Sequence, residues 1–545
     1  MGKVSHKGYL CLVLHAHLPY IRHPEHEYFL EENWLYEAMT EAYIPMLDVF
    51  SRLINDGVDF RVTLSLSPSL IEMLNDELLR ERYERHIERL IGLSEMEVFR
   101  TRNDARFRSV TRMYLERFIK VRQLFRDVFR QDLISVFRML QETGKIEIVT
   151  TAATHAFLPH LSAYPQAVEA QIETGIQHYR KNFGILPKGL WLPECGFVPG
   201  FDRLIKKKGA DFFFLESHGV VRSRPAPRYG VYAPLICPSG AAAFGRDEET
   251  SAQVWSSIHG YPGDLFYRDF YRDIGFDLDQ DYLKAYLKPY GTRTYTGLKY
   301  YRITGRTGRK EPYNRKKAEE RVSEHARHFI SSREIQIKRL RETLKIKPVV
   351  TAVYDAELFG HWWYEGPEWI DSILRGIHLS RLNFSTITPS GYLKSYNSPA
   401  GEVQSGEPAM SSWGEKGYGE VWLNSHNDSI YRHLHGAIKQ MIRLADRFPV
   451  ADGILLRSLN QAAREILLSQ HSDWAFIMKS KTFSQYAIKR FKGHISRFMY
   501  LYDSILSDNL SEAMLDVMED KDRLFRDIDY RVFSSRRIAY RGKRL

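Results

Sequence analysis

Cysteine is scarce in this chain of 545 residues. The three cysteines, Cys11, Cys195 and Cys237, are scattered and form no C-x-x-C pair. This excludes a disulfide framework and indicates a reducing compartment. No stretch approaches the roughly 20 apolar residues of a membrane span, and the apolar run at residues 9–14 is too short for a signal peptide. We therefore expect a cytoplasmic protein with no membrane partner.

Motifs for nucleotides and for serine hydrolysis are also missing. The chain has no glycine-rich phosphate loop, no Walker pattern and no G-x-S-x-G elbow. Its net charge is +11, but Lys and Arg are mixed with Asp and Glu along most of the chain. We interpret the excess as a solvated basic surface and expect no nucleic-acid partner. Aromatic residues, by contrast, reach 13% of the chain, enough to build surfaces lined with rings.

Short apolar strands, each followed at once by polar residues, recur along the chain. Seven are predicted, at residues 9–14, 60–66, 145–150, 188–192, 211–215, 241–244 and 349–354. Helical patterns separate several of them, and uninterrupted apolar strands are typical of a parallel sheet covered on both faces. We predict an α/β fold, an incomplete (β/α)7 barrel, with a doubly wound open sheet as the structural alternative.

Two regions depart from the strand pattern. Residues 69–141 are nearly free of Gly and Pro and read as a helical insertion into a barrel formed by residues 1–68 and 142–400. Helical patterning also dominates residues 401–545, where we predict an all-helical C-terminal domain. Two loop-rich passages, at residues 222–240 and 261–307, are too long to be simple connectors, and we expect both to overhang the functional site.

Titratable side chains follow most of the predicted strands. They are His15 and His17, His155, Glu194, Glu216 and His218, Arg246 and Asp247, and Asp355. Reactive residues of a β/α barrel project from the carboxyl ends of its strands, so we expect these groups to converge. The last of them opens Y-D-A-E-L-F-G-H-W-W-Y-E-G-P at residues 354–367, which also supplies large aromatic rings. Such rings can hold pyranose faces while carboxyl groups handle protons and the anomeric carbon.

Two of these carboxylates are the strongest candidates for catalysis. Glu194 lies in W-L-P-E-C-G-F, between apolar residues that would desolvate it, and Asp355 follows a strand directly. Cleavage of a glycosidic bond with retention needs one carboxylate as nucleophile and one as acid and then base. For each alone, a structural acid paired with Arg or a helix N-terminus is an equally good interpretation.

The histidines permit a competing interpretation. His15, His17 and His155 with an acid could bind zinc and leave one position open for water, as in a zinc-dependent deacetylase or mannosidase. Imidazoles that donate to sugar hydroxyls explain these residues equally well, and on that interpretation all three are substrate-binding residues. For His17, an ordinary core histidine is the preferred interpretation over either of these.

A series of motifs resembles family 57 of the glycoside hydrolases, in order and over nearly the whole chain. The motifs are H-A-H-L-P-Y at 15–20, T-H-A-F-L-P at 154–159, W-L-P-E-C-G-F at 191–197, Q-V-W-S at 253–256, G-Y-P-G-D at 260–264, the segment at 354–367, S-S-W-G at 411–414, V-W-L-N at 421–424 and S-D-W-A-F at 472–476. The resemblance is to the α-1,4-glucan branching enzymes of that family and to related enzymes described as α-amylases.

The resemblance implies a fold, a mechanism and a set of site residues. The fold would be an incomplete barrel of about seven β/α units with a helical insertion and a helical C-terminal domain. Glu194 would be the nucleophile and Asp355 the general acid/base, with no metal or other cofactor. The resemblance places His15 and His155 in the sugar pocket. It also implies that Trp34, Trp255, Trp413 and Trp422 line the glucan groove, with Asp473 near it.

One segment departs from the family pattern. Typical branching enzymes of the family carry a longer stretch before the position of Trp255, with a mobile loop that places a tyrosine over the site. Here the stretch is compact, and Tyr229 and Tyr232 are the candidate substitutes. A shortened lid admits water and favours hydrolysis of the glycosyl-enzyme.

We predict a 1,4-α-glucan branching enzyme whose partner is an α-glucan such as amylose. The first alternative is an α-amylase or 4-α-glucanotransferase that uses the same site. The second is the zinc-dependent deacetylase or mannosidase-like enzyme, and a glucan-binding protein without turnover is a further rival.

Overall fold

The computed structural model describes residues 6–256, 260–287, 289–305, 307–380, 382–396 and 403–536. Its sheet contains nine strands: β1 (Gly8–Ala16), β2 (Val62–Leu66), β3 (Ile146–Thr151), β4 (Gly189–Trp191), β5 (Phe212–Leu215), β6 (Leu235–Ile236), β7 (Ala242–Gly245), β8 (Val349–Asp355) and β9 (Phe384–Thr386). Each of the seven predicted strands is present, with ends within two residues of the prediction.

The helices occupy the connections between the strands and the C-terminal third. They are α1 (Asn33–Ala38), α2 (Ile44–Asn55), α3 (Pro68–Asn75), α4 (Glu77–Arg100), α5 (Arg108–Gln123), α6 (Leu133–Glu142), α7 (Pro165–Phe183), α8 (Phe201–Lys207), α9 (Ser217–Val221), α10 (Glu248–Trp255), α11 (Ile274–Asp277), α12 (Lys284–Leu287), α13 (Arg315–Leu344), α14 (Gly366–Leu379), α15 (Pro389–Ser395), α16 (Ser429–Arg447), α17 (Gly453–Ser469), α18 (Ser472–Ser480), α19 (Ser484–Leu506) and α20 (Glu512–Lys521). No helix in the described ranges is long and apolar enough to cross a membrane.

Seven strands run parallel in the order β7-β5-β4-β3-β2-β1-β8. β6 pairs antiparallel with β7, and β9 pairs with the first residues of β1. Alternate residues of the strands face different apolar clusters. In β1, Leu10, Leu12 and Leu14 pack in the large cluster that contains the helices, while Cys11 and Val13 belong to a smaller one. Both faces of the sheet are therefore buried, which explains the uninterrupted apolar strand sequences.

The two ends of the strand order meet at Asp247, just after β7. Its backbone N–H donates to the carbonyl oxygen of Thr351 in β8, at 2.9 Å. Its carboxylate caps α10 by accepting from the N–H of Thr250 at 2.7 Å, and it also accepts from Gln336 of α13 at 2.9 Å. The sheet thus curves back on itself. The incomplete barrel is confirmed, and the open doubly wound alternative is wrong.

The two helical regions agree in content with the sequence pattern. Residues 69–141, all of which the structure describes, carry α3 to α6 and no strand. Residues beyond 403 carry α16 to α20 before the described part of the chain ends at 536. The proposed boundary near residue 400 falls on residues outside the described ranges, and the domain limits given above remain proposals.

We predict that Asp247→Ala destabilises the barrel by about 3–5 kcal/mol, because Thr250, Gln336 and Arg333 all lose this buried acceptor, each at about 1–3 kcal/mol. Arg333 keeps its ion pair with Glu249. The side chains of Asp247 and Arg333 are at most 1% exposed, and their charged atoms lie 3.4 Å apart. The measurement is urea unfolding followed by tryptophan fluorescence.

The matched control is Asp59→Ala. Asp59 is 66% exposed and pairs with Arg61 and Lys145 at the surface, so its removal should cost about 1 kcal/mol or less. Equal losses for the two variants would contradict the role given to Asp247.

Candidate active site

A cavity of about 460 Å³ opens at the carboxyl end of the barrel strands. It is lined by His15, His17, Leu18, His155, Glu194, Arg246, Trp255, Asp355, Glu357, Trp362, Trp413, Gly414, Val421, Trp422, Asp473 and Phe476. Nine of the ten predicted site residues are in this set. The exception is Trp34, whose ring packs edge-on against Phe483 and Tyr486.

Glu194 sits in a tight turn directly after β4. Its backbone has φ 60° and ψ 23°, and Cys195 after it has φ 51°. Two consecutive non-glycine residues in the left-handed region are uncommon and are typical of functional sites. The Glu194 carboxylate accepts two hydrogen bonds, from the indole N–H of Trp413 at 2.6 Å and from the hydroxyl of Ser472 at 2.8 Å. Both of its oxygens are therefore held in place.

The environment of Glu194 raises its pKa to about 7. Burial is the largest cause, and the negative charge of Asp473 adds to it. The hydrogen bonds from Trp413 and Ser472 act in the opposite direction, because they stabilise the ionised form.

Asp355 ends β8 and lines the same cavity. Burial raises its pKa well above the ordinary carboxyl range, and the charges of Glu357 and Glu194 raise it further. The guanidinium of Arg246 partly offsets this. Ionised Glu194 thus favours a proton on Asp355. A pair that carries one charge between them supplies a nucleophile and an acid together.

A chain of hydrogen bonds runs through two buried histidines to Glu194. The Nδ1 of His15 lies 3.0 Å from the hydroxyl of Ser65, and its Nε2 lies 2.9 Å from the Nε2 of His155. The Nδ1 of His155 lies 3.0 Å from the hydroxyl of Ser472. Burial lowers the pKa of both imidazoles well below the ordinary value, so both are neutral.

Neutral rings fix the direction of every proton in this chain. The Ser472 hydroxyl donates to Glu194, so it accepts from the Nδ1–H of His155. The Nε2 of His155 is then bare and accepts from the Nε2–H of His15. The Nδ1 of His15 in turn accepts from Ser65. This series of hydrogen bonds therefore directs the O–H of Ser472 at the carboxylate of Glu194 and fixes the tautomers of both histidines.

The same geometry does not favour the zinc interpretation. Two imidazoles on one tetrahedral zinc at 2.0–2.1 Å would hold their ligand nitrogens about 3.3 Å apart, whereas the Nε2 atoms of His15 and His155 face each other at a hydrogen-bond distance of 2.9 Å. His17 instead contacts Asp473, whose Oδ2 lies 3.0 Å from the His17 Nε2 and 2.7 Å from the Nδ1 of His471. These two imidazoles hold the pKa of Asp473 well below its usual range despite burial.

The aromatic side chains of the cavity differ in exposure. Trp422 is buried and stacks on Phe157, with ring centroids 4.7 Å apart, while Trp413 is half-buried. Trp255 and Trp362 are 39% and 53% exposed. Their exposed faces are available to a sugar ring, whereas the buried Trp422 shapes the wall.

The remaining polar residues at the strand ends do not line the cavity. Glu216 accepts from Arg246 at 2.9 Å, His218 contacts the carbonyl oxygen of Gly417 at 2.8 Å, and Asp247 joins the two ends of the sheet. These residues contact Arg246 and the loops around the cavity, and they hold those groups in position.

The expectation that residues 222–240 overhang the site is wrong. The carbonyl oxygen of Tyr232 accepts from the N–H of Val349, the first residue of β8. Tyr229 is buried beside Ile346. Neither tyrosine lines the cavity, so neither replaces the lid. Residues 261–307 do border the cavity, because Phe270 stacks on Trp362.

Ser472 and Ser65 were missed by sequence reasoning. A serine carries no distinctive pattern, and Ser472 meets Glu194 across 278 residues of chain. Its one signal is its position directly before Asp473 in S-D-W-A-F.

A comparison with known protein families finds a match over the barrel region. The model of glycosyl hydrolase family 57 matches residues 11–404. The chain belongs to glycosyl hydrolase family 57. A second model, described as the C-terminal part of 1,4-alpha-glucan branching enzyme, matches residues 433–533.

Several known proteins are similar to this chain over nearly all of its length. A 1,4-alpha-glucan branching enzyme of Thermococcus kodakarensis is 33% identical, covering 96% of this chain and 78% of that protein. The crystal structure of the alpha-amylase AmyC from Thermotoga maritima has a TM-score of 0.90 at 44% identity, covering 97% and 99% of the two chains. That of a branching enzyme from Pyrococcus horikoshii has a TM-score of 0.87 at 33% identity, covering 97% of each.

For this family 57 chain we predict that Ser472→Ala moves the acid limb of the kcat/KM profile to higher pH. As the predicted nucleophile, Glu194 has to be ionised, so activity should fall as the pH drops through its pKa. Losing a donor should raise that pKa above its present value of about 7. The loss of a hydrogen bond to a charged group should also lower kcat/KM at the optimum roughly 10–100-fold. The measurement is the pH dependence of kcat/KM on amylose.

Ser469→Ala is the control. Ser469 is also buried, but its hydroxyl donates to the carbonyl oxygen of Ile466 within α17. An acid limb that stays in place in Ser472→Ala, or moves equally in both variants, would contradict the hydrogen bond that Ser472 donates to Glu194.

Proposed function

We propose that this protein is a retaining α-glucan enzyme that works by double displacement. Glu194 attacks the anomeric carbon while Asp355 protonates the leaving oxygen, and Asp355 then removes a proton from the acceptor. The observation that carries this proposal is geometric: Glu194 and Asp355 line one cavity, and the Glu194 carboxylate is anchored at both oxygens. The pKa of Asp355, raised by burial and by negative neighbours, fits the role of the acid.

The walls of the cavity are suited to a chain of neutral sugars. Exposed rings of Trp255 and Trp362 offer flat apolar faces. Carboxylates and imidazoles between them, such as Asp473 and His17, offer acceptors and donors to hydroxyl groups. We infer from this mixture that the substrate is an amylose-like or glycogen-like α-glucan.

The preferred reaction is branching, in which the glycosyl-enzyme is transferred to a 6-hydroxyl of a glucan. The match of residues 433–533 to the C-terminal model of branching enzymes supports this choice, as do the relatives that carry that name. A role in building a storage glucan would place the protein in the cytoplasm. Its three cysteines, all free and buried, suit that compartment.

Hydrolysis or 4-α-glucan transfer on the same site is the second candidate. The observation in its favour is the position of Tyr229 and Tyr232 away from the cavity, which leaves the glycosyl-enzyme without a tyrosine lid from that segment. Entry of water then decides the product. The similarity to the alpha-amylase AmyC supports this alternative.

Incubation with amylose, followed by parallel measurement of reducing ends and α-1,6 linkages, separates the two. Branching predicts that new α-1,6 linkages, measured by proton NMR, exceed net new reducing ends roughly tenfold, because transfer consumes each end that cleavage creates. Glu194→Gln and Asp355→Asn should each lower kcat at least about 1,000-fold.

Net reducing ends without α-1,6 linkages would assign the protein to the hydrolytic alternative. Turnover near the wild-type rate in Glu194→Gln would overturn the mechanism itself.

A further inference from the structure

Aromatic rings continue from the catalytic cavity onto the outer surface of the protein. Trp362 lines the cavity and is 53% exposed. Phe270 stacks on it, with ring centroids 4.4 Å apart and planes inclined by 26°. Phe270 neighbours Tyr295 at 6.4 Å, and Tyr295 meets the edge of Phe276 at 5.0 Å. Four aromatic side chains therefore form one connected series that leads away from the site.

The outer rings of this series face solvent. Tyr295 is 38% exposed and Phe276 is 48% exposed. Large apolar side chains that are exposed singly need no explanation, but a connected patch usually marks a binding surface. The catalytic mechanism described above uses neither residue.

A buried lysine fixes two of the rings. The ammonium of Lys299 lies 4.1 Å from the ring centre of Phe270 and 4.7 Å from that of Tyr295. It also donates to the carbonyl oxygen of Phe270 at 2.6 Å. The residue as a whole is 3% exposed. A cation held between two ring faces fixes both rings in place.

A buried carboxylate fixes the loops that carry the outer rings. Asp273 is 1% exposed and accepts from the N–H of Gly275, from the N–H and hydroxyl of Thr296, and from the N–H of Gly297, all at 2.7–2.9 Å. These bonds tie the start of α11, which carries Phe276, to the irregular segment that carries Tyr295. The rings are thus held ready, and binding to them would lose little conformational entropy.

The charges around the series favour a neutral ligand. Lys299 is buried among carboxylates that attract it, chiefly Asp273, Glu41 and Glu37. The nearby guanidinium of Arg272 is paired with Asp277 at 2.8 Å. A single-stranded nucleic acid also stacks on aromatic rings, but it requires an uncompensated positive groove for its phosphates. A carbohydrate chain has no such requirement.

We propose that Trp362, Phe270, Tyr295 and Phe276 form an aromatic track that holds a segment of α-glucan outside the catalytic cavity. The proposal rests on the proposed function, because it extends the same substrate beyond the reacting sugar. The track begins at a cavity wall and ends on the surface, so a long chain can contact both and a short one only the cavity. The site would accordingly select its substrate by chain length.

The test compares binding of amylose and of maltotriose to the full chain in a Glu194→Gln background, by isothermal titration calorimetry. The double change Tyr295→Ala and Phe276→Ala should raise the Kd for amylose about tenfold, as expected from the loss of two stacking faces. The Kd for maltotriose should stay within about twofold.

Tyr500→Ala is the matched control. Tyr500 has the same side chain and the same 38% exposure as Tyr295, but it lies on α19 in the C-terminal part of the chain. Its loss should leave both Kd values unchanged. A second double variant, Tyr295→Leu with Phe276→Leu, keeps apolar volume while removing the flat rings, and it should weaken amylose binding as the alanine pair does. Thermal unfolding by circular dichroism shows whether each variant folds.

Three outcomes would overturn the track. One is an unchanged amylose Kd in both double variants while the parent protein binds amylose. Another is an equal weakening of maltotriose. The third is tight binding of oligothymidylate that depends on the same rings. Failure of the parent protein to bind amylose at all would overturn the proposed function as well. This outcome is distinguishable, because failure of the track alone leaves amylose binding by the parent protein intact.

Discussion

The candidate active site depends most on the hydrogen bonds that hold the carboxylate of Glu194. Its two carboxylate oxygens accept from Trp413 and Ser472, which lie 219 and 278 residues further along the chain. The barrel supplies the carboxylate in a left-handed turn, and the region beyond the barrel supplies both donors. Ser472 in turn anchors the imidazole of His155, so the position of α18 also fixes the hydrogen bonds of the buried histidines. Neither part of the chain makes the site by itself.

Four carboxylates line this cavity, and each is stabilised differently. Asp473 is held ionised by His17 and His471, and Glu357 accepts from the N–H of His17 and from Tyr43. Among the residues that the structure describes, no comparable set of donors reaches Asp355, and its pKa is raised by burial and by like charge. Because these environments differ, chemically similar groups take different protonation states. That separation is what acid and nucleophile roles require.

Much of this was predictable from sequence, for identifiable reasons. The seven parallel strands are buried on both faces, so their apolar runs are unmistakable, whereas β6 and β9, with two and three residues, leave no pattern. Glu194 and Asp355 follow such strands and were therefore named as candidates; the structure places both in one cavity. Ser472 was missed because its contact with Glu194 is set by tertiary packing. The expectation for residues 222–240 was also wrong, because loop length does not indicate whether a loop reaches the functional site.

In the proposed mechanism, Glu194 forms the covalent bond to the sugar. The most direct measurement is mass spectrometry of peptides from enzyme treated with 5-fluoro-α-glucosyl fluoride, whose second fluorine slows release of the glycosyl-enzyme. We expect a single glycosylated peptide containing Trp191 to Phe197, with the sugar on Glu194, and no such adduct in Glu194→Gln. An adduct on Asp355 or Asp473, or full turnover with no covalent adduct, would contradict this mechanism.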